Sequence, residues 1–255
     1  MKSKQVHYHI FMSDIILVCM PTYHGPIEWL KKALDSVQKQ TYADFECWIV
    51  KDGCSCGLTL GDESSNWRAG ATCEDCDSRM KYLRSFCKDD LRFRCFALPI
   101  NFGRFGSGPR NFALMNTVHE YIAYLDDDNW WEHNHLDVCY SKLKEEDFDF
   151  VFSGTITHNI EGCITGVRNN IDMLCFSNID TSEILHKRRL LNDFGGWRKP
   201  IGGPLPGAGT DWDLVRRWVY GGANWAHTGV CTLNYLTHDR SERALQSEPI
   251  YYFSK

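Results

Sequence analysis

No run in this chain approaches the roughly 18 consecutive apolar residues that a membrane-spanning helix requires, so no transmembrane segment is expected. A signal-peptide core is lacking as well. Residues 1–10 are basic and polar, and the apolar run at residues 15–20 is short and stops at Pro21. An excess of positive charge is also missing. The 28 Lys and Arg stand against 33 Asp and Glu, a formal charge of -5 with a pI near 6.0. A general nucleic-acid-binding surface is therefore disfavoured, a local basic patch aside. Internal repeats, long linkers and low-complexity segments are absent. Together these absences lead us to expect a cytoplasmic protein, with association to membranes left open.

What remains is a chain of 255 residues, 43% hydrophobic and 24% charged, the composition of a soluble globular protein with enough length for a sizeable core. Its twelve cysteines are expected as thiols, since no export signal is present. Cys19, Cys47, Cys95, Cys139 and Cys175 lie in apolar stretches and read as small core residues. Cys54, Cys56, Cys73 and Cys76 are different. They form C-x-C and C-x-x-C pairs in a polar Gly- and Ser-rich stretch, and four such thiolates could close a structural zinc site, with a plain thiol-bearing loop as the alternative.

The order of elements predicts an α/β protein. Residues 14–20 read as a buried strand ended by Pro21. Ile27, Leu30, Leu34 and Val37 then recur at helical spacing behind Pro26, which suits a first turn. Residues 45–50 form the next strand, followed by Lys51-Asp52-Gly53, which completes a βαβ unit. Residues 54–78 have weak periodicity and read as an insertion. A helix near 79–87 and a strand near 94–98 follow. Next comes Asn101-Phe102-Gly103-Arg104-Phe105-Gly106-Ser107-Gly108-Pro109-Arg110-Asn111, which opens a helix through Leu114 and permits close backbone approach to a ligand. It does not meet the G-x-G-x-x-G fingerprint. A strand near 148–152 and a hairpin over 156–167 around Glu161-Gly162 complete the central part.

The chemistry concentrates in Tyr124-Leu125-Asp126-Asp127-Asp128-Asn129-Trp130-Trp131. The apolar residues 121–125 deliver three consecutive carboxylates to the end of a buried strand. Like charges so close repel unless a cation sits among them. Hard cations such as Mg²⁺ and Mn²⁺ take oxygen ligands and share them with substrate phosphates. A solvated Asp/Asn turn is the competing reading.

In this order, these motifs make the chain resemble an inverting family 2 glycosyltransferase of the GT-A fold, over residues 15–240. Pro21-Thr22-Tyr23 resembles the family's P-T-[YF] entry to the nucleotide pocket. Asp52-Gly53 resembles the D-G whose Asp contacts the donor base, and Gly108-Pro109-Arg110-Asn111 resembles G-x-[AS]-R-N. Leu125-Asp126-Asp127-Asp128-Asn129 is similar to L-D-x-D-D, with Asn129 in place of the final Asp. Farther on, Ser177 to Ser182 and His186-Lys187-Arg188 resemble the acceptor-side segment. Gly209-Thr210-Asp211-Trp212-Asp213-Leu214 resembles G-E-D-W-D-L, with Thr210 in place of Glu, and Leu236-Thr237-His238-Asp239 resembles the terminal segment with its His.

The resemblance implies a GT-A (Rossmann-like) fold with a mixed, mainly parallel sheet flanked by helices. It also implies one domain over residues 1–255: a nucleotide-sugar half at 14–128 with the Cys-rich insertion near 54–78, an acceptor half at 129–240, and a tail at 241–255. It implies Asp211 as the general base, rather than Asp213. Pro21, Thr22, Tyr23, Asp52, Arg110, Asp126 and Asp127 would bind the nucleotide sugar, with Asp126 toward the ribose. Asp128 and His238 would hold Mn²⁺ or Mg²⁺. The expected partners are a nucleotide-sugar donor, UDP-linked by default, and a glycan, glycolipid or glycoprotein acceptor. Trp130, Trp131, Trp197 and Trp212 are candidates to stack on sugar rings, and Arg188 and Arg189 are candidates to bind an anionic group. Two other readings stand beside this one: an Asp-dependent phosphatase or phosphotransferase, and a catalytically silent sugar-nucleotide or glycan-binding module.

Overall fold

The structure is a computed structural model that describes residues 14–54, 73–102, 106–169, 173–175, 179–198, 210–238 and 252–254. The first apolar run becomes strand β1 (Ile16–Thr22), buried along its whole length. A strand with no polar face must be covered on both sides and belongs at the centre of a parallel sheet. Accordingly β1 pairs in parallel with β2 (Phe45–Lys51) on one side and β4 (Tyr121–Tyr124) on the other, and β3 (Phe93–Ala97) extends the sheet beyond β2.

The sheet then turns mixed. It continues from β4 to β9 (Ile184–Lys187), β6 (Phe150–His158), β10 (Trp225–Leu236) and β5 (Trp130–Trp131), with β7 (Ile164–Arg168) attached to β6. Strand β9 runs antiparallel to both β4 and β6, whereas β10 returns parallel to β6. The expected hairpin is formed by β6 and β7, and its turn places Gly162 at φ +83°. A separate short antiparallel pair joins β8 (Met173–Cys175) to β11 (Tyr252–Ser254).

Alternation along β1 feeds two cores. Ile16, Val18 and Met20 pack with Leu30, Leu34 and Val37 of α1 (Ile27–Gln38), Leu83 of α2 (Glu74–Asp89) and Leu136 of α4 (His135–Glu145). Leu17 and Cys19 point the other way, toward Leu114 of α3 (Ser107–Met115), Leu190 of α5 (Arg189–Phe194) and Trp218 of α6 (Thr210–Tyr220). Successive strand residues face opposite sides, so helices are required on both faces. Among the described residues no helix is long and apolar enough to cross a membrane.

Helix α2 corrects one expectation. It starts at Glu74, inside the stretch read as an irregular insertion, while residues 55–72 of that stretch lie outside the described residues. Glu74, Asp75 and Asp77 in the first turn complement the positive end of the helix dipole. Their polarity masked the helical spacing of Cys76, Met80 and Leu83, which are buried.

The parallel register sets the site. Thr22 lies opposite Lys51, and Cys19 lies opposite Tyr124, so the C-terminal ends of β1, β2 and β4 open onto one edge. This is the edge at which open α/β sheets bind ligands. The loop after β2 is clipped to the loop after β3: Gly53 N donates to Ile100 O at 3.1 Å, and Asn101 Nδ2 donates to Gly53 O at 2.9 Å. A methyl at Gly53 would stand 2.1 Å from the Ile100 carbonyl carbon. Because the obstacle is backbone, Gly53→Ala is expected to destabilise the fold by about 1–3 kcal/mol, the usual cost of overpacking, read as a lower midpoint in chemical unfolding.

Candidate active site

The three carboxylates that follow β4 do not share one environment. Asp126 forms an ion pair with Arg110, whose buried guanidinium also lies 4.5 Å from the centre of the Trp197 ring. Helix α3 brings Arg110 there by starting directly beneath Pro21. Gly106 caps that start at φ +77°, and a side chain at this position would meet the Pro21 ring at 3.0 Å. Here glycine serves the packing of the chain on itself, as does Gly108, where a methyl would meet Phe102 at 2.4 Å. The expected close approach of this loop to a ligand is thus replaced, at these two positions, by close approach to the protein.

Asp127 accepts a hydrogen bond from Thr22 Oγ1 at 2.5 Å and lies 3.4 Å from Arg79 Nη1. Arg79, buried on α2, also donates to Thr22 Oγ1 at 3.0 Å and to Gly25 O at 2.5 Å. Asp128 turns the opposite way, and its Oδ2 lies 3.0 Å from His238 Nε2. The His238 ring stacks on Trp29, 5.1 Å between centroids.

The electrostatics reflect the crowding. Burial raises the Asp127 carboxyl to about 7 and the Asp128 charge pushes the same way, against the pull of Thr22 and Arg79. Asp126 is also raised, by burial first, with Arg110 opposing and Asp128 adding to the rise. A cation beyond Arg110 and Arg79 would favour full ionisation of the cluster near neutrality. Asp128 and His238 offer an oxygen and a nitrogen within reach of one ion, and this donor pair would suit a divalent cation such as Mn²⁺ or Mg²⁺.

Asp52 is buried where the sequence places it, at the end of β2. Its Oδ1 accepts from Gly53 N at 3.1 Å and Phe102 N at 2.9 Å, which fixes the carboxylate at the mouth of the cleft. Tyr23 lies beside Lys51, whose ammonium is 5.6 Å from its ring centre.

Asp211 sits in the first turn of α6 and accepts from Trp212 N at 2.8 Å. Burial raises its carboxyl, and the Arg110 charge opposes this, placing Asp211 in the field of the same arginine that pairs with Asp126. Asp180 belongs to this group too. Burial raises it to about 8, followed by the charges of Asp126 and Asp211. Asp180 caps a 3-10 turn (Thr181–Glu183) in a reciprocal capping box with Glu183, and Glu183 pairs with Arg168 at 3.0 Å. Asp213 differs entirely. It is buried against Arg217 at 3.0 Å, Arg198 at 3.1 Å and Arg216 at 3.6 Å, so its carboxylate ties α6 to its surroundings.

Several other candidates have partners or packing within the protein. Trp131 is buried, with Nε1 donating to Ser182 O at 2.7 Å. Trp197 and Trp212 are buried in the core. Trp130 carries Lys32 Nζ 3.1 Å over its ring. Arg188 donates to Leu114 O at 3.0 Å and Thr117 Oγ1 at 2.9 Å, closing the C-terminal end of α3, and Arg189 pairs with Asp149. Both arginines have partners within the chain, and about half of the Arg189 side chain stays exposed. His186 is fully buried against the Tyr124 hydroxyl at 2.8 Å.

Arg79, Glu183 and Arg168 are the polar groups that sequence reading missed. Arg79 falls in the stretch just after the supposed insertion, where no motif surrounds it. The Glu183–Arg168 pair joins positions distant in sequence, and a single chain gives no signal of such a contact. Of the four cysteines singled out as zinc ligands, Cys54, Cys73 and Cys76 converge, together with His24, while Cys56 lies outside the described residues.

The contrast between the two α6 carboxylates is testable. A carboxyl whose folded value is raised loses stabilising proton binding as pH climbs from its unfolded value through its folded one, so ionised Asp211 burdens the fold at neutral pH. Asp211→Asn is expected to leave thermal stability at pH 7 unchanged or higher. Asp213→Asn, which strips a buried charge from three arginines, is expected to lower it by about 3–5 kcal/mol. Thermal unfolding of both variants beside the parent checks the pair.

The glycosyl transferase family 2 model matches residues 77–198. A glycosyltransferase of Rickettsia felis is 30% identical over 156 residues, which is 60% of this chain and 20% of that protein. The chain spans only 17% to 20% of the length of the first curated relatives it matches. Among solved structures, Staphylococcus aureus TarS 1-349 in complex with UDP-GlcNAc superposes with a TM-score of 0.60 at 15% identity, over 88% of this chain and 59% of that one. The mannosyltransferase PcManGT of Pyrobaculum calidifontis, in complex with GDP-Man and Mn²⁺, gives 0.62 at 15% identity, over 91% and 59%. At such identities the structural likeness speaks for the fold alone. Family model and sequence relatives agree in kind: residues 77–198 are similar to the glycosyl transferase family 2, and the fold is similar to that of solved GT-A glycosyltransferases.

Proposed function

We propose that this chain is a metal-dependent inverting glycosyltransferase. It moves a sugar from a nucleotide diphosphate sugar, UDP-linked by preference, to a hydroxyl of a glycan, glycolipid or glycoprotein. The observation that carries the reading is the division of labour in the acidic run: Asp126 faces Arg110, Asp127 faces Thr22 and Arg79, and Asp128 faces His238. All three lie at the C-terminal edge of parallel strands β1, β2 and β4. A complex of TarS with UDP-GlcNAc and one of PcManGT with GDP-Man and Mn²⁺ support donors of this class.

Pro21, Thr22, Tyr23 and Asp52 bind the nucleotide, with Asp52 set by two backbone N–H groups to meet the base. Asp126 takes ribose hydroxyls and Arg110 neutralises Asp126 beside them. Asp128 and His238 hold Mn²⁺ or Mg²⁺, which when bound stabilises charge growing on the diphosphate as a Lewis acid. Asp211 accepts the proton of the acceptor hydroxyl as its oxygen bonds to the anomeric carbon. The bond from that carbon to the diphosphate breaks on the opposite face, and the nucleoside diphosphate leaves with the electron pair. A base with a raised carboxyl suits this task better than an unperturbed one, because Brønsted efficiency favours a value nearer the working pH. Residues 14–128 form the donor half of one domain and residues 129–240 the acceptor half.

A phosphatase would need one Asp exposed as nucleophile, whereas Asp126 and Asp127 are both engaged by cationic or hydroxyl partners. The test is a screen of nucleotide sugars with Mn²⁺, following binding and hydrolysis in the parent, Asp128→Ala and Asp211→Asn. Asp128→Ala is expected to lose metal-dependent donor binding. Asp211→Asn is expected to keep binding while turnover falls by about 10²–10⁴-fold, the usual contribution of a positioned base. In the parent, kcat should rise with pH along an acid limb whose midpoint lies above the ordinary carboxylate value, since Asp211 must be ionised to act. Failure of every nucleotide sugar to bind with any divalent cation would overturn the assignment.

A further inference from the structure

Beyond the transfer site lies a second constellation with a different chemistry. The ligand atoms of His24, Cys54, Cys73 and Cys76 all lie within 4.8 Å of one another, and His24 Nε2 is 3.7 Å from Cys76 Sγ. Around a tetrahedral zinc, with Zn–S near 2.3 Å and Zn–N near 2.0–2.1 Å, neighbouring ligand atoms stand roughly 3.5–4 Å apart. The four atoms are therefore already gathered at close to the required spacing. Soft thiolates in such a set select zinc over the hard cations suited to Asp128.

The backbone explains why these four meet. His24 follows the end of β1 and Cys54 follows the end of β2, and those strands are parallel neighbours. Cys73 is the N-cap of α2 and Cys76 lies in its first turn, so C-x-x-C places both sulfurs at one end of the helix. The positive end of the helix favours thiolate there. Charge balance is met as well. Zinc with three thiolates and a neutral imidazole carries one net negative charge. Lys51, a buried lysine, donates to Asp52 O at 2.6 Å and also bonds the Cys76 thiol. Among the described residues no carboxylate pairs with its ammonium. A buried cation needs an anionic partner, and the metal-thiolate group supplies one.

We propose that His24, Cys54, Cys73 and Cys76 form a closed structural zinc site, with His24 taking the place that spacing alone would give to Cys56. Zinc closes the eighteen-residue excursion between Cys54 and Cys73 and staples the first turn of α2 to the ends of β1 and β2. Arg79 sits one turn farther along α2, where it holds Thr22, Gly25 and Asp127. The ion thus positions the donor loops without touching donor.

The test is zinc content and zinc-edge X-ray absorption on the intact chain, purified without chelator. About one zinc per chain is expected, with a shell of three sulfurs and one nitrogen. Replacement by Co²⁺ should give thiolate charge-transfer bands and the intense visible bands of tetrahedral cobalt. Cys56→Ala and Asp128→Ala should keep the zinc, whereas His24→Ala, Cys54→Ala, Cys73→Ala and Cys76→Ala should each lose it and lower the apparent Tm. A four-sulfur shell, or zinc that survives His24→Ala and leaves with Cys56→Ala, would overturn the ligand set. Absence of zinc from the intact chain, with no cobalt spectrum on titration, would overturn the site. Because Asp128→Ala separates the two metals, failure here leaves the transferase reading to its own test.

Discussion

Three adjacent carboxylates at the mouth of a buried strand set the terms on which the rest of the cleft is built. Burial first, and their mutual repulsion after it, raises Asp126 and Asp127 above ordinary carboxylates. The fold answers with a separate partner for each. Arg110 comes from α3, Thr22 and Arg79 from β1 and α2, and His238 from just beyond β10. Four elements far apart in sequence are fixed against one tripeptide, and their placement fixes the cleft.

The parallel half of the sheet makes this convergence possible. Parallel strands end together, so the residues that directly follow β1, β2 and β4 meet at one edge. The antiparallel strand β9 then carries the sheet across to β6 and β10, and β10 ends where His238 can reach back to Asp128. Asp180 and Asp211 lie on the same side, held near Arg110 and Arg168. The proposed base thus stands in the field of the groups that would hold the donor.

Much of this arrangement was legible in the chain itself. Unbroken apolar runs marked β1, β2 and β4, since a buried parallel strand has no polar face to hide its pattern, and Ile27, Leu30, Leu34 and Val37 marked α1. The ordered motifs pointed to Asp52, Arg110, Asp126 to Asp128, Asp211 and His238 before any geometry was known. Less legible were contacts between distant positions. Nothing local distinguishes Arg79, which binds Asp127 across 48 residues, from a solvated helix arginine. Arg188 and Arg189 looked like a polar face or an anion site because sequence does not reveal carbonyls at the end of α3 or a buried Asp149. Likewise His24 carried no spacing signal toward cysteines that fold back to it.

The departures from the family pattern divide by the physics of their positions. Asn129 stands where the pattern has a final Asp, and it is almost fully buried, with Oδ1 accepting from Leu236 N at 3.0 Å. That bond anchors the end of β10, two residues before His238. An aspartate could accept the same bond, but it would add a fourth charge, and a buried one, beside three partly exposed carboxylates. The amide supplies the acceptor without the charge, so this change leaves the Asp128–His238 contact in place. Thr210 is the opposite case. It replaces a carboxylate at the start of α6, beside the base, and removes a charge from the acceptor side while Asp211 stays in place. Both departures thus remove a carboxylate, but at Asn129 the amide keeps a buried structural bond, whereas at Thr210 the loss falls beside Asp211 in the first turn of α6.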